Sequence, residues 1–245
     1  MFFVNPDIFL LLIIIIVFTV VQSVFGVGLL VFGTPSLLLL GYSFTETLTY
    51  LIPSSIVVST LQVYSRWNYI TLYRFNVIYY LLPGVAIGLS IILYILSINL
   101  YLMIGIMLLL TSLMRFSSSL NELLGVFLSN NFKIGLVIIG FVHGLTNLGG
   151  ALLVAITNSI YNKKIKIQSN IAYAYLTMAV VQIMLLIVIG DFVFNATALF
   201  LTFCSALIYL FIGKRIFENT DEIIYHNLMT FLIFFYGSLL IFFSL

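Results

Sequence analysis

Residues 24–41 read VFGVGLLVFGTPSLLLLG, and residues 140–153 read GFVHGLTNLGGALL. Both are runs of small residues inside apolar stretches too long for a single membrane helix. How the chain passes through them decides the fold. Around them the sequence falls into eight apolar segments, at about 8–40, 47–64, 76–96, 98–113, 134–160, 171–189, 192–212 and 223–245. A membrane-spanning helix needs roughly 20 apolar residues. Six segments fit one crossing each, whereas the first and fifth are long and broken by glycine. Helix is the only open-chain conformation that satisfies every backbone N–H within hydrocarbon.

Composition points the same way. Of the 245 residues, 63% are hydrophobic and 7% charged, against about 25% charged in a soluble domain. So few charges cannot cover a water-facing globule, so lipid is the expected solvent. The net charge of +2 and the lack of a basic patch interleaved with aromatics exclude nucleic acid as a partner. The single cysteine, Cys204, has no intrachain partner and lies in an apolar run. Asp7 is the only early charge, and no small-residue cleavage site follows the first apolar run. That run is therefore expected to stay as an uncleaved membrane segment.

Charge placement separates two topologies. If all eight segments cross once, Arg66, Arg74, Arg115 and Lys133 fall on one side and Lys163, Lys164, Lys166, Lys214 and Arg215 on the other. That split expresses no preference, although basic residues favour the cytoplasmic side. If the two broken segments instead enter and turn back, all nine Lys and Arg share one side, with Asp7, Glu46 and Asp191 opposite. The expected fold is then all-α and integral to the membrane, with two inverted repeats. Each repeat is a re-entrant glycine-broken hairpin followed by three transmembrane helices, and the hairpins enter from opposite faces to meet near the midplane. Eight plain transmembrane helices are the alternative. The repeats are set at 1–114 and 134–245, joined by the polar linker 115–133, whose middle, 120–128, reads as a short interfacial helix. Broken helices in internal repeats mark secondary transporters.

These residues resemble the TauE/SafE sulfite exporter family of small membrane permeases. Gly26, Gly28, Gly33, Pro35 and Gly41 look like its first glycine-rich motif, and Gly144, Gly149 and Gly150 like the second copy. Gly213-Lys214-Arg215 before a final apolar helix looks like its ending. Val27, Leu29 and Leu30 thin the first cluster, and the second has Ile156 near where a proline would stand. The resemblance covers essentially the whole chain. It implies a transporter of small anions such as sulfite, organosulfonates or related sulfur compounds.

The binding residues expected from the breaks are Gly28, Gly33, Thr34, Pro35 and Ser36 in the first, and His143, Gly144, Thr146, Asn147, Gly149 and Gly150 in the second. Ser54, Ser55 and Asn170 are weaker additions. Helix N-termini at such breaks offer amide donors to an anion, and no Lys or Arg lies mid-segment. The competing reading is that small residues simply let helices pack closely. His143 is the one ionisable group deep in a segment other than tyrosine and Cys204 and is expected to face a cavity or a partner. Pro53 and Pro83 are read as kinks, and Lys163, Lys164 and Lys166 as a cytoplasmic anchor.

No H-E-x-x-H occurs, since His143 and His226 are the only histidines, and no Asp or Glu lies mid-segment. Neither enzyme activity, a metal nor a cofactor is expected. A passive anion channel or a non-transporting subunit of a membrane assembly are the alternatives to a transporter. Expected partners are a small anionic solute and the lipid bilayer. A homo-oligomer stays open. The expected location is the cell membrane, multi-pass, with the basic loops cytoplasmic.

Overall fold

The computed structural model describes residues 8–71, 73–94, 99–193, 195–220, 231, 234–239 and 241–243. Most of the apolar segment 223–245, with Asp221, Glu222 and His226, lies outside the described residues. Helix is the regular structure throughout the described residues.

Helix α1 (Ile8–Phe25) ends at Gly26, whose φ of 75° suits a residue without Cβ. Its N–H caps the helix on Gln22 O at 2.8 Å. Helix α2 (Leu29–Leu39) then runs back along α1. The Phe18 and Phe32 rings stack at 5.7 Å, and Leu29 N–H donates to Gln22 Oε1 at 3.2 Å. The second broken segment reverses in the same manner. Helix α8 (Phe132–Thr146) ends at Asn147, which takes the left-handed conformation at φ 63° and caps on His143 O at 2.8 Å. Asn is among the few side chains that accept this conformation. Helix α9 (Gly149–Ile160) follows.

The two reversals repeat contact for contact. A Cβ on Gly28 would meet Phe18 O and the Gln22 backbone, and one on Gly149 would meet Ile139 O and His143 Cα and Cβ. Phe18 and Ile139, Gln22 and His143, Gly26 and Asn147, and Gly28 and Gly149 are thus counterparts, each pair 121 positions apart.

Helix α3 (Phe44–Ser65) starts with a capping box, Ser43 Oγ accepting from Glu46 N–H and Glu46 Oε2 from Ser43 N–H. At 22 residues it is about 33 Å long. Its Thr47, Thr49, Ser54, Ser55, Ser59 and Gln62 are all buried. After a turn of 3-10 helix at Trp67–Tyr69, helices α4 (Tyr73–Asn76) and α5 (Leu82–Tyr94) are joined by a π turn at Val77–Leu81. Helix α6 spans Leu100–Phe116 and α7 Ser118–Asn130. Helix α7 is longer than the interfacial helix expected at 120–128. It turns by 113° into α8 and packs its Gly125 on Ala155 and Ser159. Helix α10 spans Lys164–Ile189. Helices α11 (Ala196–Ile208) and α12 (Lys214–Asn219) are joined by a π turn at Tyr209–Gly213.

Four helical stretches among the described residues are long and apolar enough to cross a membrane: Ile8–Phe25, Arg74–Tyr94, Lys164–Ile189 and Ala196–Asn219. A bent pair within 122–146 would make five. The sequence led to six crossings. Helix α3 has the length but is too polar to count, because its hydroxyl and amide side chains face inward. Helix α6 is too short in its apolar part, and the last segment lies largely outside the described residues. Helix α1 by itself has the length and composition of a crossing, whereas the expected hairpin dips only half-way.

The helix ends sort by charge. Arg66, just past α3, sits 4.0 Å over the Phe217 ring of α12, and Lys164 of α10 sits 4.3 Å from the same ring. Arg74 stacks on Trp67 at 4.1 Å, and Asn170 Nδ2 donates to Tyr69 O at 3.2 Å. These contacts gather the basic ends of α3, α4, α10 and α12. Lys133, at the start of α8, lies over the Tyr80 ring at 5.4 Å. Glu46 and Asp191 stand at the far ends of α3 and α10.

The hairpin tips do not meet end to end. The first touches α10 at Gln168 and Ile171, and the second at Gln182. Those levels are roughly 17–21 Å apart along the helix. The hairpins overlap side by side, joined where Asn147 Nδ2 donates to Thr34 Oγ1 at 2.9 Å.

Candidate functional site

Two polar clusters sit at the tips. At the first, Gln22 is fully buried, and its Nε2 reaches Ser55 O and Ser55 Oγ at 3.2 Å and Ser59 Oγ at 3.1 Å. Gln62 Nε2 donates to Gln22 O at 2.9 Å and to Ser23 O at 3.2 Å. Gln168 Nε2 reaches from α10 to Ser23 O and Val24 O. Three carboxamides from three helices therefore converge on the reversal. They do so because an interrupted helix leaves carbonyls that hydrocarbon cannot satisfy.

At the second tip, Gln182 Nε2 donates to Asn147 Oδ1 at 2.7 Å, and Asn147 passes its own amide to Thr34. Thr146 Oγ1 accepts from Leu148 N–H at 3.1 Å. His143 is fully buried, edge-on to Tyr175 with centroids 5.3 Å apart, and among the described residues neither ring nitrogen has a partner at hydrogen-bond geometry. The Tyr175 hydroxyl stands against Gly150, where a Cβ would collide with it. Among the described residues, Thr19 Oγ1, Thr47 Oγ1, Ser54 Oγ and the Oε1 atoms of Gln62, Gln168 and Gln182 are also buried without partners. An unsatisfied buried polar atom costs about 1–3 kcal/mol, so such a concentration calls for a reason other than packing.

The predicted residues divide into two groups. Thr34, His143, Thr146, Asn147, Gly149 and Gly150 come together around the second tip, and Ser55 joins the first. Gly28 closes the first hairpin. The Leu29 amide just after it, expected to serve a solute, is taken by Gln22. Gly33 packs on Leu51. Pro35 lies within α2 at its lipid-distant, buried face, and Ser36 Oγ bonds Phe32 O and Tyr236 OH at 2.7 and 2.9 Å. Gly144 belongs to a seam. Gly84 and Gly88 of α5 face Gly140 and Gly144 of α8, each touching opposing backbone. That is the close-packing role of small residues. Asn170 bonds Tyr69 O and Lys166 O at the basic end, away from both tips.

Sequence reading missed Gln22, Ser59, Gln62, Gln168, Gln182 and Tyr175 as site residues. A signal was present, since an amide side chain inside an apolar segment is costly unless a partner waits for it. The described residues contain no group of His, Cys, Asp and Glu able to hold a metal ion.

Buried neutral donors and acceptors at two chain reversals inside an apolar helical body define a multi-pass membrane protein of the transporter class. The chain belongs to the family Sulfite exporter TauE/SafE, whose profile matches residues 10–240. No curated protein and no solved structure gives a significant match. The family comprises transporters rather than enzymes, which places a small solute and the lipid bilayer as this chain's surroundings.

Proposed function

We propose that the protein moves small anions, of the class of sulfite, organosulfonates or related sulfur compounds, across the cell membrane past the two hairpin tips. The observation that carries this reading is the pair of matching reversals, each with buried carboxamide, hydroxyl or imidazole groups at its tip. The donor-capable groups left unpartnered there among the described residues are the hydroxyls of Thr19, Thr47, Ser54 and Tyr175 and the His143 imidazole, so an anion would lean on neutral groups rather than on a fixed cation. That limits the depth of the binding well and lets the solute leave.

The chain is read as two inverted repeats, 1–114 and 134–245, joined by 115–133, with both hairpins re-entrant. The 121-residue offset between equivalent contacts supports this, as does the gathering of Arg66, Arg74, Lys164 and Lys214 at one end. By the positive-inside rule that end is cytoplasmic. Thr34, His143, Thr146, Asn147, Gly149, Gly150, Gln22, Gln62, Gln168 and Gln182 are the proposed contacts. The two repeats pack closely on one another, through the Gly84, Gly88, Gly140 and Gly144 seam of α5 and α8 and through α3 against α10 and α11.

Purified protein in proteoliposomes tests the reading. Sulfite or a sulfonate should be taken up saturably, with chloride a poor competitor. Counterflow of labelled substrate against its gradient identifies a transporter, and its absence alongside downhill flux identifies a channel. No flux of any sulfur oxyanion would remove the proposed substrate class.

A further inference from the structure

The basic end holds a cation that the transport path so far described does not use. Arg66 is only 7% exposed, its Nη1 is buried, and no hydrogen-bond acceptor reaches that nitrogen among the described residues. Membrane-end arginines ordinarily extend their charge into water. Exposed Lys214 and Arg215 do so here. Arg74, half-buried over Trp67, also has an unpartnered Nε among the described residues, but its Nη2 is spent on Ile70 O at 2.8 Å and Trp67 O at 3.2 Å. Arg66 differs in being buried under the Phe217 ring with an Nη nitrogen, the outer part of its fork, unspent.

Its surroundings lead inward. On α3, Gln62 lies one helical turn before Arg66. On α10, Gln168 lies one turn after Lys164. Both amides donate to Ser23 O at the first hairpin tip, and both cations lie against the same Phe217 ring. Lys164 Nζ is committed to Phe217 O and Thr220 O, so it supplies positive potential and rigidity. The guanidinium of Arg66 supplies the donors. The Glu218 carboxylate acts on it only through space.

We propose that Arg66 is an anion-binding residue at the basic mouth of the passage, receiving a tetrahedral or pyramidal sulfur oxyanion on its Nη1 side before the anion reaches the neutral amides of the first tip. A guanidinium presents planar paired N–H groups that match two oxygens of such an anion. Burial under Phe217 lowers the local dielectric and strengthens that interaction. The exposed Lys214 and Arg215 nearby raise the local anion concentration. This inference rests on the anion-transport reading for its purpose, though not for its binding site.

The test uses two readouts on full-length protein. The first is flux of sulfite and of methanesulfonate into proteoliposomes, giving the half-saturating concentration. The second is emission of Trp67, the only tryptophan and the residue next to Arg66, titrated with the same anions in detergent. Arg66→Gln should raise the half-saturating concentration about tenfold or more in both readouts, the loss expected for a charge-assisted hydrogen bond. Arg66→Lys should fall between, keeping the charge without the fork. Arg215→Gln should shift the value less than Arg66→Gln does, and that shift should vanish at high ionic strength. Wild-type and Gln-variant values that coincide in both readouts overturn the inference. If Arg66→Gln does not fold, an unshifted Arg66→Lys overturns it. If the wild type carries neither anion, the transport reading fails by itself, and the Trp67 titration still decides the role of Arg66.

Discussion

Replacing Asn147 probes a side chain that ties the two hairpins together, and its cost has separable parts. Its Nδ2 donates to Thr34 Oγ1 at 2.9 Å and its Oδ1 accepts from Gln182 Nε2 at 2.7 Å, both fully buried. Interhelical hydrogen bonds within membrane proteins contribute about 0.6 kcal/mol on average and up to about 1.7. Losing both therefore costs roughly 1–3 kcal/mol. The backbone at φ 63° adds a second term, because a residue with an ordinary Cβ pays about 1–2 kcal/mol there, whereas glycine pays little. Asn147→Gly should then lose roughly 1–3 kcal/mol and Asn147→Ala roughly 2–5 kcal/mol. Reversible unfolding in mixed micelles, followed by Trp67 emission and far-ultraviolet circular dichroism, measures both. The order wild type, then glycine, then alanine is the signature. An alanine variant as stable as the glycine variant would show that the left-handed backbone is not what closes the second hairpin. A glycine variant equal to wild type would show that the bridge to Thr34 and Gln182 is not formed in the membrane. Both variants should also reduce flux, since the overlap of the hairpins depends on this bridge.

Three further outcomes are expected. In a background where Cys204 is replaced, cysteines at Leu40 and Asn162, both exposed, should be labelled from opposite faces of the membrane, and labelling of both from one face rejects re-entrant hairpins. The neighbouring Tyr42 is buried and suits the experiment less well. Gly144→Ala forces a Cβ into Val85 O and Leu89 N and should lower thermal stability in detergent by an amount equivalent to about 1–3 kcal/mol; an unshifted melting curve would remove the α5–α8 glycine seam. His143→Gln places in the second hairpin the amide that Gln22 provides in the first. It should keep flux and flatten any dependence on pH, whereas His143→Leu should abolish flux, and a pH profile of His143→Gln identical to wild type denies the imidazole a proton-carrying role.

The fold was legible in the sequence where the physics is local. Glycine-broken apolar runs announced both chain reversals, and counting Lys and Arg on each side led to the expectation of hairpins rather than crossings. The quantity that could not be read was depth. Nothing in residues 8–25 says that α1 runs the length of a crossing before turning, because apolar residues look alike at every level of the bilayer. Depth is set by which carbonyls the turn exposes and which amides come to meet them. Gln62 and Gln168 lie 40 and 145 residues from the Gln22 and Ser23 carbonyls they serve.

The site followed the same division. Asn147, Thr146 and His143 were recognisable because they stand beside a break. Gln182, Tyr175 and Gln62 stand in the middle of otherwise plain helices and gain meaning only when the hairpins dock. The glycines show the limit from the other direction. Gly28 and Gly149 hold equivalent places in the two turns, while Gly33 and Gly144 let neighbouring helices approach. A sequence motif that contains both kinds therefore mixes solute contacts with packing contacts. Substitutions separate them, because a packing glycine reports as lost stability and a tip residue as lost flux from a protein that still folds.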